Sequence, residues 1–234
     1  MGTGTAQTKA AFKSRPVHRH PMGTDVLQRI EACGVIAVLR GVEPETVEDV
    51  ARAVIDGGIS VLEITAESDD AMEMIETVDD RFGDEAIVGV GTVLDGPTAR
   101  LAISAGASFV VSPTFDGGVV ETCNRYGVPV APGVFTPTEA QRAYEAGADL
   151  VKLFPAKTGG PDHLAAIRGP LPQLDVVPTG GVGPSNAGEY VEAGAVAVGA
   201  GGAVVDLDAV ERGDFDAIEE NARALVDAVD AARS

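Results

Sequence analysis

The chain has 234 residues, 45% of them hydrophobic, and a formal net charge of −19 at pH 7. No apolar run approaches the roughly 18 residues that a membrane-spanning helix needs, and so acidic a surface repels nucleic acid and anionic lipid. The length suits one α/β barrel or two small domains, with most of the apolar surface buried.

The N-terminal stretch, residues 1–22, has no apolar segment of the kind a secretory signal carries. Ala6 stands where a myristoylation signal needs Ser or Thr. The stretch reads as a flexible basic tail, with Lys9, Lys13, Arg15 and Arg19 and no acid in its first 20 residues. All 36 acids therefore lie in the body, and the whole chain has only four lysines. That balance reads as a halophile's protein from a high-salt cytoplasm, where screening removes the self-repulsion. Cys33 and Cys123 lie far apart, with no CxxC and no Cys/His cluster. No metal or cofactor is expected, and both thiols read as reduced, in a cytoplasmic protein.

After the tail, TDVLQRIEAC (24–33) predicts a helix. Eight apolar runs follow: VIAVLR (35–40), VLEIT (61–65), AIVGVGTV (86–93), FVVSP (109–113), PVAPGV (129–134), VKLFP (151–155), DVVPTGG (175–181) and AVAVGAG (195–201). Continuous apolar runs fit parallel strands covered on both faces. Helical segments alternate with them. Residues 43–58 have Pro44 in the first turn, early acids and Gly at the end. Residues 136–148 open with a capping box, Thr136 as N-cap and Glu139 three residues on. Residues 183–195 again start with a proline, Pro184. The sequences SAGAS, EAGAD and EAGAV each close a helix and lead into the next strand. Eight strand–helix units predict a (β/α)8 TIM barrel, with the first helix crossing its base. No GxGxxG follows the first run, which leaves the open doubly wound sheet without support. No linker divides residues 23–234, which read as a single domain.

In such a barrel the chemistry sits at the C-terminal ends of the strands. Lys152 lies inside the sixth run, between Val151 and Leu153. A buried lysine loses its charge more readily, and a neutral amine attacks a carbonyl to form a Schiff base. The pattern alone also fits a lysine that snorkels to the strand end or pairs with a carboxylate. Glu63, the one carboxylate of the second run, either moves protons for that chemistry or is the lysine's partner. The glycine-rich loops PTGGVGPSN (178–186) and VGAGGAV (198–204) follow the last two runs, where TIM barrels cradle phosphate with backbone N–H groups. The helix after Pro184 would add its positive end.

The motifs VIAVLRG, GGISVLEIT, VGVGTVL, ASFVVSPTF, VPVAPGVFTPTEA, ADLVKLFPA, VVPTGGV and AVGAGGAVV occur in this order between about residues 25 and 230. Together they resemble the class I 2-keto-3-deoxy-6-phosphogluconate (KDPG) and 4-hydroxy-2-oxoglutarate aldolases and their phosphogalactonate relatives. The resemblance implies a TIM barrel, usually a homotrimer, that works without metal. It cleaves a phosphorylated keto acid to pyruvate and glyceraldehyde 3-phosphate. By motif, it implies Lys152 as the Schiff-base nucleophile and Glu63 as the acid/base. Thr92 becomes a ligand of the pyruvate carboxylate, and Pro113 and Phe154 become apolar walls. Thr179, Gly180, Gly181, Gly201 and Gly202 become the phosphate site.

The sequence departs from the family pattern twice. Some members carry arginine just after the LE(V/I)T segment, where this chain has Glu67. Arg40, in VLRG, then takes the substrate carboxylate by bidentate pairing. Many members have a serine in the last glycine loop, and GAGGA has none, which loosens the expected preference for a phosphorylated substrate. The residues leave open which keto acid is used: the gluconate, its galactonate epimer or 4-hydroxy-2-oxoglutarate.

Overall fold

A computed structural model describes residues 23–234, so the basic stretch 1–22 lies outside the described residues. Helices alternate with short strands. The order is α1 (Gly23–Cys33), β1 (Val35–Leu39), α2 (Val47–Asp56), β2 (Val61–Thr65), α3 (Ala71–Phe82), β3 (Ile87–Gly91), α4 (Gly96–Ser104), β4 (Val110–Val111) and α5 (Gly117–Tyr126). Then come β5 (Val130–Ala131), β6 (Gly133–Val134), α6 (Pro137–Glu145), β7 (Val151–Leu153), α7 (Ala156–Arg168), β8 (Val176–Pro178), α8 (Ala187–Glu192), β9 (Val198–Ala200), α9 (Leu207–Glu211) and α10 (Phe215–Arg233).

All strand pairings are parallel. Six strands run in the order β5-β4-β3-β2-β1-β9 and three in the order β6-β7-β8. The result is an α/β fold with a curled parallel sheet. β5 and β6 belong to one extended stretch, interrupted at Pro132, which has no N–H for a ladder. The Pro132 carbonyl still accepts a hydrogen bond from Lys152 N–H (2.9 Å), which holds β7 beside the break. On the other side, Thr179, just past β8, pairs with Gly199 of β9 in an isolated parallel bridge. Every residue of β1, β2 and β3 is buried, as strands covered on both faces require.

The apolar residues separate into two sets. The larger fills the space between strands and surrounding helices. The smaller is made by alternate strand residues that point to the other side: Ile36, Val61, Ile87, Phe109, Val111, Ala131, Leu150, Val177 and Ala197. Val26 and Ile30 of α1, each 1% exposed, pack onto this inner set. The first helix thus closes the base of the curled sheet, as its place in the sequence predicts.

The capping box is present: Thr136 Oγ1 accepts from Glu139 N–H (3.3 Å), and Glu139 Oε2 accepts from Thr136 N–H (2.8 Å). The three AGA turns also form as expected, with Gly106, Gly147 and Gly194 at φ of 112°, 91° and 100°. Two helix starts differ. α2 begins at Val47, so Pro44 sits in a preceding turn rather than in the helix. α8 begins at Ala187 and has only six residues. Pro184 lies in a turn held by Asn186, whose Oδ1 accepts from Gly183 N–H (2.9 Å) and whose Nδ2 donates to the Gly181 carbonyl (3.0 Å). Asn186 is spent on the turn and does not cap the helix. The turn at Pro184 leads directly into α8, with Ala187 N–H donating to the Gly183 carbonyl (2.9 Å).

Candidate active site

The inner face of the sheet places several side chains together because small residues make room for large ones. A Cβ at Gly89 would overlap the Phe109 ring, one at Gly133 the Pro113 carbonyl, and one at Gly199 the Thr179 hydroxyl. At Gly91 it would overlap the carboxyl of Glu63. Glu63 sits level with Val38 on one side and Gly89 on the other. On the three-stranded side, Lys152 sits level with Gly133 and Val177.

Glu63 and Lys152 are 2% and 4% exposed, and among the described residues no other charged side chain is buried. Glu63 Oε1 is buried without a hydrogen-bond partner among the described residues. Burial raises the Glu63 pKa, the charges of Lys152 and Arg40 oppose that rise, and the charge of Glu67 adds to it. A partnerless buried carboxyl in the field of a buried lysine is costly, and such arrangements concentrate at working sites.

Lys152 Nζ lies 5.2 Å from the centroid of the Phe154 ring, and that ring packs in turn against Gly180. A pocket of about 420 Å³ opens above them. Of the residues singled out from sequence, Arg40, Lys152, Phe154, Thr179, Gly180, Gly181, Gly201 and Gly202 line it. Glu63 is buried beside it, coupled to Lys152 and Arg40 through charge. Thr92 touches it through Arg40, whose Nη2 donates to Thr92 Oγ1 (2.9 Å). Thr92 has φ of 57°, a left-handed backbone that a β-branched residue rarely adopts. Pro113 does not line this pocket; its carbonyl faces Gly133.

Several contributors escaped the sequence reading. Val38 lines the pocket two residues before Arg40, on the same face of the strand, so strand alternation would have found it. Val205 and Leu207 reach it from the segment after β9, with no periodicity to announce them. Glu67 binds Arg40, with Oε1 3.3 Å from Nε. Lys157 lays its stem on Gly181: a Cβ there would sit 2.6 Å from the lysine Cβ and 2.8 Å from its Cδ. Lys152 and Lys157 are the only lysines beyond residue 22.

No group of three or more His, Cys, Asp or Glu side chains among the described residues is arranged to hold a metal ion. No helix among them is long and apolar enough to cross a membrane. Cys123 is buried and free, its thiol pushed up to about 12 mainly by burial, and Cys33 is also free.

The family described as KDPG and KHG aldolase matches residues 26–221. The 2-dehydro-3-deoxy-phosphogluconate aldolase of Treponema pallidum is 40% identical over 189 residues, covering 79% of this chain and 90% of that protein. The 2-dehydro-3-deoxy-6-phosphogalactonate aldolase of Escherichia coli is 36% identical over 168 residues, covering 71% and 82%. Among solved structures, the KDPG aldolase of Legionella pneumophila, with pyruvate captured at low pH as a covalent carbinolamine, superposes with a TM-score of 0.80. It is 31% identical, covering 85% of this chain and 97% of that one. With most of its length matched by the family, by curated relatives and by their fold, this chain belongs to the KDPG and KHG aldolases.

Proposed function

We propose that the chain is a Schiff-base aldolase, a carbon–carbon lyase that splits 2-keto-3-deoxy-6-phosphogluconate into pyruvate and glyceraldehyde 3-phosphate. One observation carries the reading: an amine and a carboxyl, Lys152 and Glu63, are buried together beside the pocket, and one oxygen of the carboxyl has no partner. Buried ionisable groups that only stabilised the fold would be expected to satisfy each other.

The deprotonated Lys152 amine attacks the C2 ketone, and loss of water from the carbinolamine gives an iminium. Glu63 takes the proton of the C4 hydroxyl. The C3–C4 bond breaks, its electron pair passes into the iminium to give an enamine, and the C4 oxygen becomes the aldehyde. Protonation at C3 and attack by water then release pyruvate and free the lysine. Arg40 and Thr92 take the substrate carboxylate, Phe154 gives an apolar wall, and Thr179, Gly180, Gly181, Gly201 and Gly202 receive the phosphate. Lys157, lying on Gly181, supplies a cation where the last glycine loop has no serine hydroxyl.

Further features belong to the same reading. Residues 23–234 act as one domain and form a closed (β/α)8 barrel, with β5 and β6 counted as one strand and the Thr179–Gly199 bridge as a seam. The subunits assemble as a homotrimer, and exposed Leu94, Leu101 and Tyr126 around α4 and α5 support a subunit contact. The protein works in a salt-rich cytoplasm, which its surplus of acids supports.

The test is pyruvate release from the gluconate substrate, its galactonate epimer and 4-hydroxy-2-oxoglutarate in molar KCl, with borohydride trapping of pyruvate on the enzyme. The gluconate is expected to be cleaved fastest, and a pyruvate-sized adduct is expected on Lys152. An adduct mapping to another residue, or none at all, removes the assignment.

A further inference from the structure

The segment after β2 carries an acid, Glu67, against Arg40, which lines the pocket proposed to bind an anionic substrate. An acid there repels such a substrate unless its charge is already used. Its partner is in view: Glu67 Oε1 lies 3.3 Å from Arg40 Nε, and Arg40 Nη2 donates to Thr92 Oγ1 (2.9 Å). Glu67 and Thr92 come from the ends of two neighbouring strands, β2 and β3, and grip one arginine from the end of β1. Their backbones are tied as well, because Ala66 N–H donates to the Gly91 carbonyl (2.9 Å). Arg40 and Glu67 side chains are 55% and 43% exposed, so without these contacts the guanidinium would be free to swing into solvent.

The chemistry of the grip limits what Arg40 can do. A guanidinium offers two forked edges to a carboxylate, one made by Nε with Nη2 and one made by Nη1 with Nη2. Nε lies against the Glu67 carboxylate in an ion pair, and one Nη2 hydrogen goes to Thr92. The edge that faces away from Glu67 is the end-on one, which carries Nη1.

We propose that Glu67 is a positioning residue. It holds Arg40 against Thr92 so that the guanidinium meets the substrate anion with its end-on edge only. Glu67 itself touches no substrate. The inference rests on the aldolase reading and adds to it the residue that sets how Arg40 is presented. Holding the arginine in one place also spares the substrate the entropy of ordering it.

Glu67 has a second, weaker effect. Three charged groups act on Glu63: Lys152, Arg40 and Glu67. Removing the Glu67 charge leaves the two cations less opposed, and Glu63 then loses its proton at lower pH. That shift reports the Glu67 charge itself, and the positioning role is read in KM with and without Arg40.

The experiment measures pyruvate release from about pH 5 to 9 for wild type, Glu67→Gln, Glu67→Asp, Arg40→Ala and the double variant Arg40→Ala/Glu67→Gln. Glu67→Gln is expected to raise KM about two- to fivefold, the size of a half-exposed ion pair, with kcat within about twofold. The acid limb of kcat/KM is expected to move down by roughly 0.3 pH unit, since a half-exposed charge acts through partly screened surroundings. Glu67→Asp keeps the charge and is expected to recover most of the loss. In the Arg40→Ala background, the Gln substitution is expected to change KM no further. An unchanged KM in Glu67→Gln, or the same rise with and without Arg40, overturns the proposal. Wild-type protein that releases no pyruvate overturns the aldolase reading instead, and the role of Glu67 falls with it.

Discussion

The carboxyl of Glu63 occupies the space that a side chain at position 91 would take. Gly91 is two positions beyond Gly89, the residue level with Glu63 on the neighbouring strand, and a Cβ there would overlap Glu63 Oε1. Gly91→Ala is therefore expected to push the carboxyl away from Lys152 and to lower kcat by on the order of 100-fold, the size of a misplaced acid/base. Borohydride trapping of added pyruvate on Lys152 should survive, because the amine is untouched. A variant with normal kcat would show that Glu63 does not need that position.

Glu63→Gln removes the proton carrier and is expected to slow turnover roughly 100-fold or more. Its stability should behave differently from its activity. Burial raises the Glu63 pKa in the folded protein, so between the ordinary glutamate value of about 4.3 and that raised value the folded state binds more protons than the unfolded one. Wild-type stability then contains a contribution that is present below about pH 4.3 and is lost as pH rises through the folded value. Glutamine has no such loss. Melting curves of the two proteins from about pH 4 to 8 are expected to move apart in favour of the variant as pH rises, and parallel curves would contradict the raised pKa.

Lys157→Ala tests the proposed phosphate end of the pocket. Its stem lies on Gly181, and its backbone N–H donates to the Gly180 carbonyl (3.0 Å), so the substitution keeps the loop anchored while removing the cation. KM for the phosphorylated substrate is expected to rise about tenfold, a charge-assisted contact of roughly 1.5 kcal/mol, while KM for 4-hydroxy-2-oxoglutarate stays level. Equal effects on both substrates would place the lysine outside the phosphate site.

Thr136→Ala removes half of the capping box of α6, a helix that lines no part of the pocket. A loss of about 1 kcal/mol is expected, seen as a melting temperature lower by about 2–4 °C with kcat unchanged. Glu139 also carries the backbone N–H groups of Phe135 and Thr136, which hold its pKa below the usual glutamate range. Its contribution is present above the ordinary value of about 4.3 and is lost as pH falls through its lowered one, so the Thr136→Ala deficit should be read at neutral pH.

Local rules were easy to read. Thr136 with Glu139, and glycine after each of three helices, are patterns set by a few neighbouring residues, and the structure repeats them. Lys152 and Glu63 stood out because each is a charge in an apolar run. Pro184 misled for an equally local reason. Asn186 turns its side chain back to Gly181 and Gly183, and the helix starts only after it. The role of Glu67 was beyond reach, because its meaning lies in a contact with Arg40 across two strands. Leu207 was hidden likewise, as nothing in its own segment points to the pocket formed at the C-terminal end of β9.

The helix that crosses the base of the sheet has a kinetic meaning. Val26 and Ile30 plug the inner set of side chains from below, while the pocket opens on the opposite side, above Lys152. Traffic to Lys152 is therefore through that pocket. Under the proposed chemistry the pyruvate half is tethered to the floor by its bond to the lysine, and the phosphorylated aldehyde stands between it and the exit. The aldehyde must leave first, and in the synthetic direction pyruvate must arrive first.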